Sequence, residues 1–361
     1  MHIIYSDRHR VHRGEFEFYR GELVPCFEKP ERADFVLSAL QARALGPVLA
    51  PESFSLGPIE RVHAPRYLRF LERAWDAWSA LGQTRDALPA VWPIRGLRHD
   101  VEPDNFVAQL GLYSFDSGTP LTAGTWAAAR LGAEMALTAQ RHIRAGERAV
   151  FALSRPPGHH AGPDFLGGYC FINNAAVAAQ AFLDDGAQRV AILDVDYHHG
   201  NGTQTIFYDR ADVLFQSIHG DPRTEYPFYL GHADETGQGA GAGFNQNYPL
   251  PAGCDNERWF AALAQACERI RRYAPQALVV SLGVDTFADD PISKFQLREP
   301  EYVRLGQALA ALGLPVLFIL EGGYAVAEIG DNVAHVLGSF DRAVTQAANQ
   351  ALNQVQKGPA Q

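Results

Sequence analysis

The chain has 361 residues, of which 47% are hydrophobic and 20% charged, a balance that excludes a disordered or low-complexity protein. Its 31 basic and 41 acidic residues give a net charge of −10 with no long basic run, so we do not expect nucleic-acid binding. No apolar run reaches the ~20 residues that span a membrane, and the N-terminus lacks a signal-peptide core. The four cysteines show no CxxC pairing. The sequence therefore predicts a reduced, cytoplasmic protein without membrane or nucleic-acid partners.

Short apolar runs alternate with longer helical patterns along the chain. Because these runs are apolar on both faces, they are typical of buried strands in a parallel sheet. Their alternation with helices predicts an α/β fold, a single-domain three-layer sandwich with a mostly parallel central sheet. In chain order, the predicted elements are a strand at 2–5, helices at 31–45 and 125–145, a strand at 149–154, a helix at 173–185, strands at 189–195 and 213–218, a helix at 256–273, a strand at 277–283, a helix at 300–312, a strand at 315–320 and a helix at 328–350.

Two stretches depart from this alternation. Residues 80–125 are rich in Pro, Gly, Trp and Asp and show little periodicity, which is typical of a functional loop or an insertion. Residues 346–361 are rich in Gln, Ala and Asn, and we expect this tail to fray. No internal repeat or linker divides residues 1–345, which we therefore interpret as one domain.

Polar residues follow four of the predicted strands where each strand ends. In open α/β sheets, ligands bind beyond the carboxyl ends of the strands, so these residues are expected to meet at one edge. The four groups are Arg155 to His160, Asp194 to His199, Asp285, and Glu321 to Tyr324.

The segment from Asp194 to His199 is the most informative of the four. In an extended chain, residues i and i+2 face the same way, so Asp196 and His198 can reach one ion. Asp285 arrives from another strand as a second carboxylate. One imidazole and two carboxylates leave a coordination position open, as a catalytic zinc requires. The same donor set would accept Fe²⁺ or Co²⁺.

Each of these residues also has an ordinary structural interpretation. Asp285 could cap a turn or a helix, the pair His159-His160 could be a buried hydrogen-bonded pair, and Tyr324 could simply pack on the surface. For the site to be absent, all of these structural interpretations would have to be correct at the same edge of the sheet. The convergence of these residues at one edge therefore favours a functional site.

Five motifs carry a resemblance to a known family. They are Arg-Pro-Pro-Gly-His-His at 155, Gly-Gly-Tyr-Cys-Phe-Ile-Asn-Asn-Ala at 167, Asp-Val-Asp-Tyr-His-His-Gly-Asn-Gly-Thr at 194, Ser-Leu-Gly-Val-Asp at 281 and Glu-Gly-Gly-Tyr at 321. They resemble the arginase/deacetylase-fold zinc hydrolases of the histone deacetylase superfamily, and bacterial acetylpolyamine amidohydrolases fit best. The resemblance extends from Met1 to about Phe340, with the motifs in family order.

The resemblance implies roles for individual residues. The zinc ligands would be Asp196, His198 and Asp285, and Tyr324 would be the oxyanion donor. The tandem pair His159 and His160 would lie beside the metal, with Asp194 holding His159. Structural potassium would take mostly backbone carbonyls, and the expected ligands are Asp194, Asp196, His198, Ser217 (through its hydroxyl) and Ile218 at one site and Phe207, Arg210, Val213 and Phe244 at a second.

Asn201 marks one departure from many eukaryotic deacetylases, which carry an Asp at the matching position. An Asn cannot supply the negative charge that raises the pKa of a neighbouring imidazole. We therefore expect His160 to be neutral more readily, which suits a general base.

The resemblance also implies a narrow substrate tunnel that admits a long, unbranched alkyl amine. Its expected lining residues are Tyr169, Tyr226, Gly168 and Gly322. Ordinary packing is the alternative interpretation for the two tyrosines.

The expected reaction is removal of acetyl from an acetylated polyamine or small diamine, giving acetate and a free amine. The alternatives are a protein lysine deacetylase with the same site and a non-catalytic, metal-binding member of the fold. Residues 80–125 are too long and too aromatic (Trp92, Phe106, Tyr113 and Phe115) for a plain solvated loop, so we expect them to pack against a second subunit in a homodimer. The same stretch supplies Glu102, Asp104 and Asp116, of which one could attract the distal ammonium of the substrate; all three could instead be solvated surface charges.

Overall fold

The computed structural model describes residues 1–356, and its centre is an eight-stranded sheet in which all neighbouring strands are parallel. A separate antiparallel hairpin is formed by β2 and β3. The strands are β1 (His2–Ile4), β2 (Phe16–Tyr19), β3 (Glu22–Pro25), β4 (Val48–Leu49), β5 (Ala149–Ala152), β6 (Val190–Asp194), β7 (Val213–Gly220), β8 (Asn245–Leu250), β9 (Ala277–Leu282) and β10 (Val316–Leu320). The order in the large sheet is β4-β1-β5-β10-β9-β6-β7-β8.

Helices cover both faces of this sheet. They are α1 (Glu31–Ala42), α2 (Gly57–Glu60), α3 (Pro65–Ala80), α4 (Phe106–Leu112), α5 (Thr125–Arg144), α6 (Asn174–Asp184), α7 (Asn201–Phe207), α8 (Asn256–Tyr273), α9 (Glu299–Ala310) and α10 (Ile329–Gln356). Across residues 1–356, none of them combines the length and the apolar character needed to cross a membrane.

Strand β10 shows how the two faces are filled. Val316, Phe318 and Leu320 point into the apolar cluster beneath α1, α8, α9 and α10. Leu317 and Ile319 point into the cluster on the opposite face, beneath α3 to α6. Successive side chains of a strand face opposite ways, so a continuous apolar run buries both faces. The predicted α/β three-layer sandwich is therefore confirmed.

The six predicted strands and the six predicted long helices are present, with small shifts at their ends. Strand β8 escaped prediction because its sequence, Asn-Gln-Asn-Tyr-Pro-Leu, is polar and lies at the edge of the sheet. Strands β2, β3 and β4 and helices α2, α3, α4 and α7 were not predicted either. Residues 80–125 are mostly irregular, as expected, apart from α4.

The last helix continues through residues 346–356, where fraying was expected. Residues 357–361 lie outside the described residues, so fraying of this tail stays a prediction.

The order of the strands explains where the site forms. Strands β5, β10, β9 and β6 are consecutive neighbours in the sheet, and all run in one direction. The polar groups that follow these four strands therefore leave the sheet at adjacent points of one edge.

Candidate active site

Three predicted metal ligands meet at this edge. Asp196 and His198 follow β6, and Asp285 follows β9. All three residues are buried, and one ligand atom from each lies within 4.8 Å of the others. His198 Nδ1 is 2.9 Å from Asp285 Oδ2 and 3.3 Å from Asp196 Oδ1. The structure thus brings together the donor set that the sequence predicted.

Backbone amides hold both carboxylates in place. The Tyr197 amide donates to Asp285 Oδ1 at 2.8 Å, and the Gly322 amide donates to Asp196 Oδ2 at 2.7 Å. A Cβ on Gly322 would lie 2.5 Å from an oxygen of each carboxylate, so no larger residue fits here without moving the ligands.

The electrostatics of this group suit a divalent cation. Burial, together with the charge of Asp196, raises the pKa of Asp285 to about 8. Within residues 1–356, neither carboxylate forms an ion pair with a Lys or an Arg. Two buried carboxylates need compensating positive charge, and one nitrogen with carboxylate oxygens is a donor set that Zn²⁺, Fe²⁺ and Co²⁺ all accept. The residues therefore fit a catalytic divalent metal.

The tandem histidines lie against the metal ligands and differ in charge. Burial alone would lower the pKa of His159, but the carboxylates of Asp196 and Asp194 raise it to about 10. His159 Nδ1 is 2.9 Å from Asp194 Oδ2. Burial and the neighbouring His159 and His198 lower the pKa of His160 well below its ordinary value. The pair is thus one charged and one neutral imidazole.

Asn201 sets the tautomer of His160. His160 Nδ1 is 2.6 Å from Asn201 Oδ1, and an amide oxygen can only accept a hydrogen bond. His160 therefore carries its proton on Nδ1 and leaves the Nε2 lone pair free to receive another. The role of His160 as a general base stays a prediction.

Tyr324 is positioned by the loop after β10. Its amide donates to Asp290 Oδ2 at 2.7 Å, and the Arg32 guanidinium lies 4.8 Å from its ring centre. Arg32 Nε also donates to the Gly323 carbonyl at 2.7 Å. Burial raises the pKa of Tyr324 well above its ordinary value, so the phenol keeps its proton and can donate it in a hydrogen bond.

Three supporting residues were not singled out from the sequence. They are Arg32, Asp290 and Glu321. Glu321 accepts hydrogen bonds from the Gly158 amide at 2.6 Å and the His159 amide at 3.2 Å, which fixes the loop of the tandem histidines. Only Glu321 carried a signal, because it belongs to the Glu-Gly-Gly-Tyr motif; Arg32 lies 289 residues from the carbonyl of Glu321 that it binds.

A cavity of about 850 Å³ opens onto this group. Its wall includes His160, His198, Asn201 and Tyr324 as well as the predicted tunnel residues Tyr169, Tyr226 and Gly168. Gly322 is not among the lining residues and lies against the two carboxylates instead.

Aromatic rings form the walls of this cavity close to the reacting groups. The Tyr169 and Tyr324 ring centres are 5.5 Å apart, and Phe115 stacks on Tyr226 at 5.8 Å. Gly168 has φ +55°, and a Cβ there would lie 2.1 Å from His160. The cavity is therefore bounded by flat apolar walls that suit a thin alkyl chain.

The three acidic residues named from the sequence occupy different places. Asp116 lines the cavity, where it accepts hydrogen bonds from the Tyr226 hydroxyl at 2.6 Å and the Gly168 amide at 2.7 Å. Glu102 accepts from the Tyr113 hydroxyl at 2.8 Å and lines a separate cavity of about 160 Å³. Asp104 is exposed and lines neither cavity.

The lining of the cavity includes a segment that the sequence did not indicate. Glu17, Phe18 and Tyr19 of β2 lie there with Trp92 and Phe228. No signal marked the hairpin, because its residues alternate between exposed and buried without any chemical motif.

The predicted potassium ligands lie in two groups around β7. Asp194, at the end of β6, is paired in register with Ser217, which brings the first group together. In the second group, the Phe207 carbonyl accepts a hydrogen bond from the Arg210 amide at 3.0 Å, which closes the turn after α7. Both potassium sites stay predictions. The groups are Asp194, Asp196, His198, Ser217 and Ile218, and Phe207, Arg210, Val213 and Phe244.

Comparison with known proteins shows the family to which the chain belongs. The histone deacetylase domain matches residues 26–340. Acetylpolyamine amidohydrolase 2 of Pseudomonas aeruginosa is 60% identical over 341 residues, covering 94% of this chain and 99% of its own. The acetylpolyamine amidohydrolase of Mycoplana ramosa is 49% identical over 337 residues, covering 93% and 98%. A crystal structure of acetylpolyamine aminohydrolase from Burkholderia pseudomallei superposes with a TM-score of 0.90 at 39% identity, covering 95% and 99%. This chain therefore belongs to the histone deacetylase family of amide hydrolases.

Proposed function

We propose that this protein removes acetyl groups from small acetylated amines that carry a second, cationic nitrogen, such as acetylated diamines and polyamines. The observation that carries this proposal is a cavity of about 850 Å³ that joins the metal-ligand group to flat aromatic walls and to acidic residues. Relatives named acetylpolyamine amidohydrolase, 60% and 49% identical over most of the chain, support the same substrate class.

The residues of the site account for the chemistry. When bound, a divalent metal here polarises the acetamide carbonyl and makes water acidic enough to attack near neutral pH. His160 Nε2 takes the proton from the attacking water and later delivers it to the departing nitrogen. The oxygen of the water bonds to the acetyl carbon and the C–N bond breaks, which releases acetate and a free amine.

Two other groups manage the charge that develops. Tyr324, kept protonated by burial, donates a hydrogen bond to the carbonyl oxygen as negative charge collects on it. His159, held by Asp194, supplies positive charge beside the reacting centre. Asn201 keeps His160 in the tautomer that can accept a proton.

A substrate panel tests the proposal. Purified, zinc-loaded protein is assayed with acetylputrescine, acetylcadaverine, acetylspermidine and an acetyl-lysine peptide, and kcat/KM is compared. We expect the diamines or the polyamine to be preferred over the peptide. Preference for the peptide would indicate a protein lysine deacetylase, and bound zinc without turnover of any substrate would indicate a non-catalytic, metal-binding protein.

We also propose zinc as the resident metal, potassium as a structural ion, and the cytoplasm as the location. The donor set supports a divalent metal, and the relatives' family supports the choice of zinc. Metal analysis of protein purified without added metal tests the first point. The structural role of potassium is tested by measuring the melting temperature in buffers that contain either potassium or a large organic cation. We expect a lower melting temperature when potassium is absent.

A homodimer through residues 80–125 is part of the same proposal. Exposed apolar side chains support it, because a stretch of them on a protein surface marks an interaction site. Those in this segment are Val91 (63% exposed), Ile94 (69%), Leu97 (57%) and Val101 (53%).

A further inference from the structure

We propose that Asp290 is a positioning residue for the deacetylation: its buried carboxylate holds the backbone of Tyr324 so that the phenol hydroxyl meets the carbonyl oxygen of the substrate. The inference rests on the proposed deacetylase function and deepens it, because it names a residue outside the reacting groups that sets the rate of the chemical step. No motif of the sequence indicated Asp290.

The backbone around Tyr324 has little local structure to fix it. Tyr324 lies in a stretch from Glu321 to Ala325 that is neither helix nor strand. Two glycines precede it, and Gly323 has φ +133°. Glycine has the greatest backbone freedom of any residue, so this stretch depends on contacts with the rest of the molecule to keep one conformation. The direction of the Tyr324 side chain is therefore set by the groups that bind this backbone.

Two side chains from distant parts of the chain bind it. Arg32 Nε donates to the Gly323 carbonyl at 2.7 Å, just before Tyr324. Asp290 Oδ2 accepts from the Tyr324 amide at 2.7 Å and from the Ala325 amide at 3.3 Å. Among the side chains of residues 1–356, Asp290 is the one that binds the amide of Tyr324 itself.

The segment that carries Asp290 is itself held in place. It follows β9 and the metal ligand Asp285, and it is closed by a bridge between Phe287 and Leu297. The Ala288 amide donates to the Leu297 carbonyl at 3.0 Å, and the Asp290 amide donates to the Phe287 carbonyl at 3.1 Å. The Asp290 residue is only 7% exposed. A carboxylate on a closed, buried turn can hold a neighbouring loop at a fixed distance.

The position of the Tyr324 hydroxyl matters for the rate. A donor to the developing oxyanion has to lie about 2.7–3.1 Å from it. Misplacement by about 1 Å can lower a rate by about 10²-fold. The Tyr324 ring contacts Arg32 and Tyr169, with 4.8 Å from the guanidinium to its centre and 5.5 Å between the two ring centres. Neither contact is a hydrogen bond, so the backbone anchor at Asp290 limits how far the ring can slide along the wall.

Steady-state kinetics with acetylputrescine tests the role of Asp290. In zinc-loaded Asp290→Ala, we expect kcat to fall about 10- to 100-fold with little change of KM, because the lost contact acts through a group that donates mainly in the transition state. Metal content should be unchanged, since Asp290 is not one of the three ligands. Asp290→Asn keeps one acceptor oxygen and should recover part of the lost kcat.

A double-mutant cycle separates an action through Tyr324 from a general weakening of the fold. Tyr324→Phe lacks the hydroxyl, so a displaced ring has little further effect on the rate. We therefore expect Asp290→Ala to lower the kcat of Tyr324→Phe by less than about threefold. Asp290 Oδ1 also accepts from the amide of Ile292, which lines the cavity. A loss caused through Ile292 would instead raise KM and would persist in Tyr324→Phe.

Asp255→Ala is the matched control. Asp255 also accepts a backbone amide, that of Arg258 at 2.8 Å, but it lies at the start of α8 and does not line the cavity. This variant should keep the parent kcat. Circular dichroism establishes that each variant is folded. If Asp290→Ala does not fold, Asp290→Asn carries the test, with a smaller loss of kcat that is again absent from the Tyr324→Phe background.

Four results would overturn the inference: full kcat in Asp290→Ala, a change confined to KM, loss of bound metal, or an equal loss of kcat with and without the Tyr324 hydroxyl. Failure of the parent protein to hydrolyse any acetylated amine would instead contradict the proposed function itself.

Discussion

The chemistry of this site depends on which imidazole carries the charge, and the burial and neighbours of each imidazole decide it. Asn201 accepts from His160 Nδ1 at 2.6 Å without adding negative charge, whereas His159 faces the carboxylate of Asp194 at 2.9 Å. Two adjacent residues of the same type thus have opposite shifts of pKa. In this pair, His160 can therefore accept a proton while His159 carries the positive charge.

Asn201→Asp should move the acidic limb of the kcat/KM profile to higher pH by about one unit or more. The new carboxylate raises the pKa of His160, so a higher pH is needed to keep the imidazole neutral. A pH–rate profile measures the shift. Asn201→Ala removes the amide without adding charge and serves as the control. An unshifted profile in Asn201→Asp would show that His160 is not the base.

Tyr324→Phe should lower kcat by roughly 10²- to 10³-fold and leave metal content unchanged. Loss of the hydroxyl removes a donor that acts mainly as charge develops on the carbonyl oxygen, and the ring with its Arg32 contact remains. Steady-state kinetics with metal analysis tests this. A change confined to KM would mean that the phenol only shapes the cavity.

The loop after β10 lies directly against the metal ligands. Gly322 of this loop lies close to both carboxylates, and its amide is one of the donors that orient Asp196. Because β10 lies between β5 and β9, its loop also reaches the tandem histidines through Glu321. One short loop therefore contacts both a metal-ligand carboxylate and the loop of the tandem histidines.

Gly322→Ala should reduce metal affinity by roughly 10- to 100-fold without unfolding the protein. The added Cβ would lie 2.5 Å from oxygens of Asp196 and Asp285, so the ligands must move apart. Competition with a metal chelator measures the affinity. Gly57→Ala, at a glycine whose added Cβ would meet only Ser55 at 3.5 Å, is the matched control. Unchanged affinity in Gly322→Ala would contradict the geometry of the site.

At the scale of the whole molecule, residues 80–125 are an addition to the α/β sandwich that carries the site. They place Trp92 and Asp116 on the cavity wall while leaving apolar side chains such as Val91 and Ile94 exposed. This segment therefore contributes to the site, and its exposed apolar side chains are those that the proposed dimer would bury.

Ile94→Asp, combined with Val91→Asp, should convert the proposed dimer to a monomer and raise the activity on acetyl-lysine peptides relative to diamines. Both side chains are exposed, so the charges oppose association without disturbing the core. Light scattering and the two activities measure the outcome. Phe35→Asp, at an exposed apolar residue of α1, is the control. A double variant that stays dimeric, or whose activity ratio does not change, would contradict a role for this segment at the entrance.

The sequence by itself was enough for the sandwich and for most of the site. A strand that is buried on both faces has a continuous apolar sequence, as in β9 and β10. Ligands two residues apart, such as Asp196 and His198, lie on the same face of an extended chain. These signals are contained in a few consecutive residues, so they can be read without a structure.

Only the tertiary structure decided which distant residues meet. The adjacency of β5, β10, β9 and β6 follows from the crossover connections, and the placement of Glu17 beside Tyr169 joins residues 152 positions apart. Asp104 and Glu102, plausible from the sequence, lie away from the cavity, whereas Glu17 in an unmarked hairpin lies within it. The physical reason is that local periodicity indicates only whether a face of a strand or helix is buried. Which distant residues pack against that face depends on the packing of the whole chain.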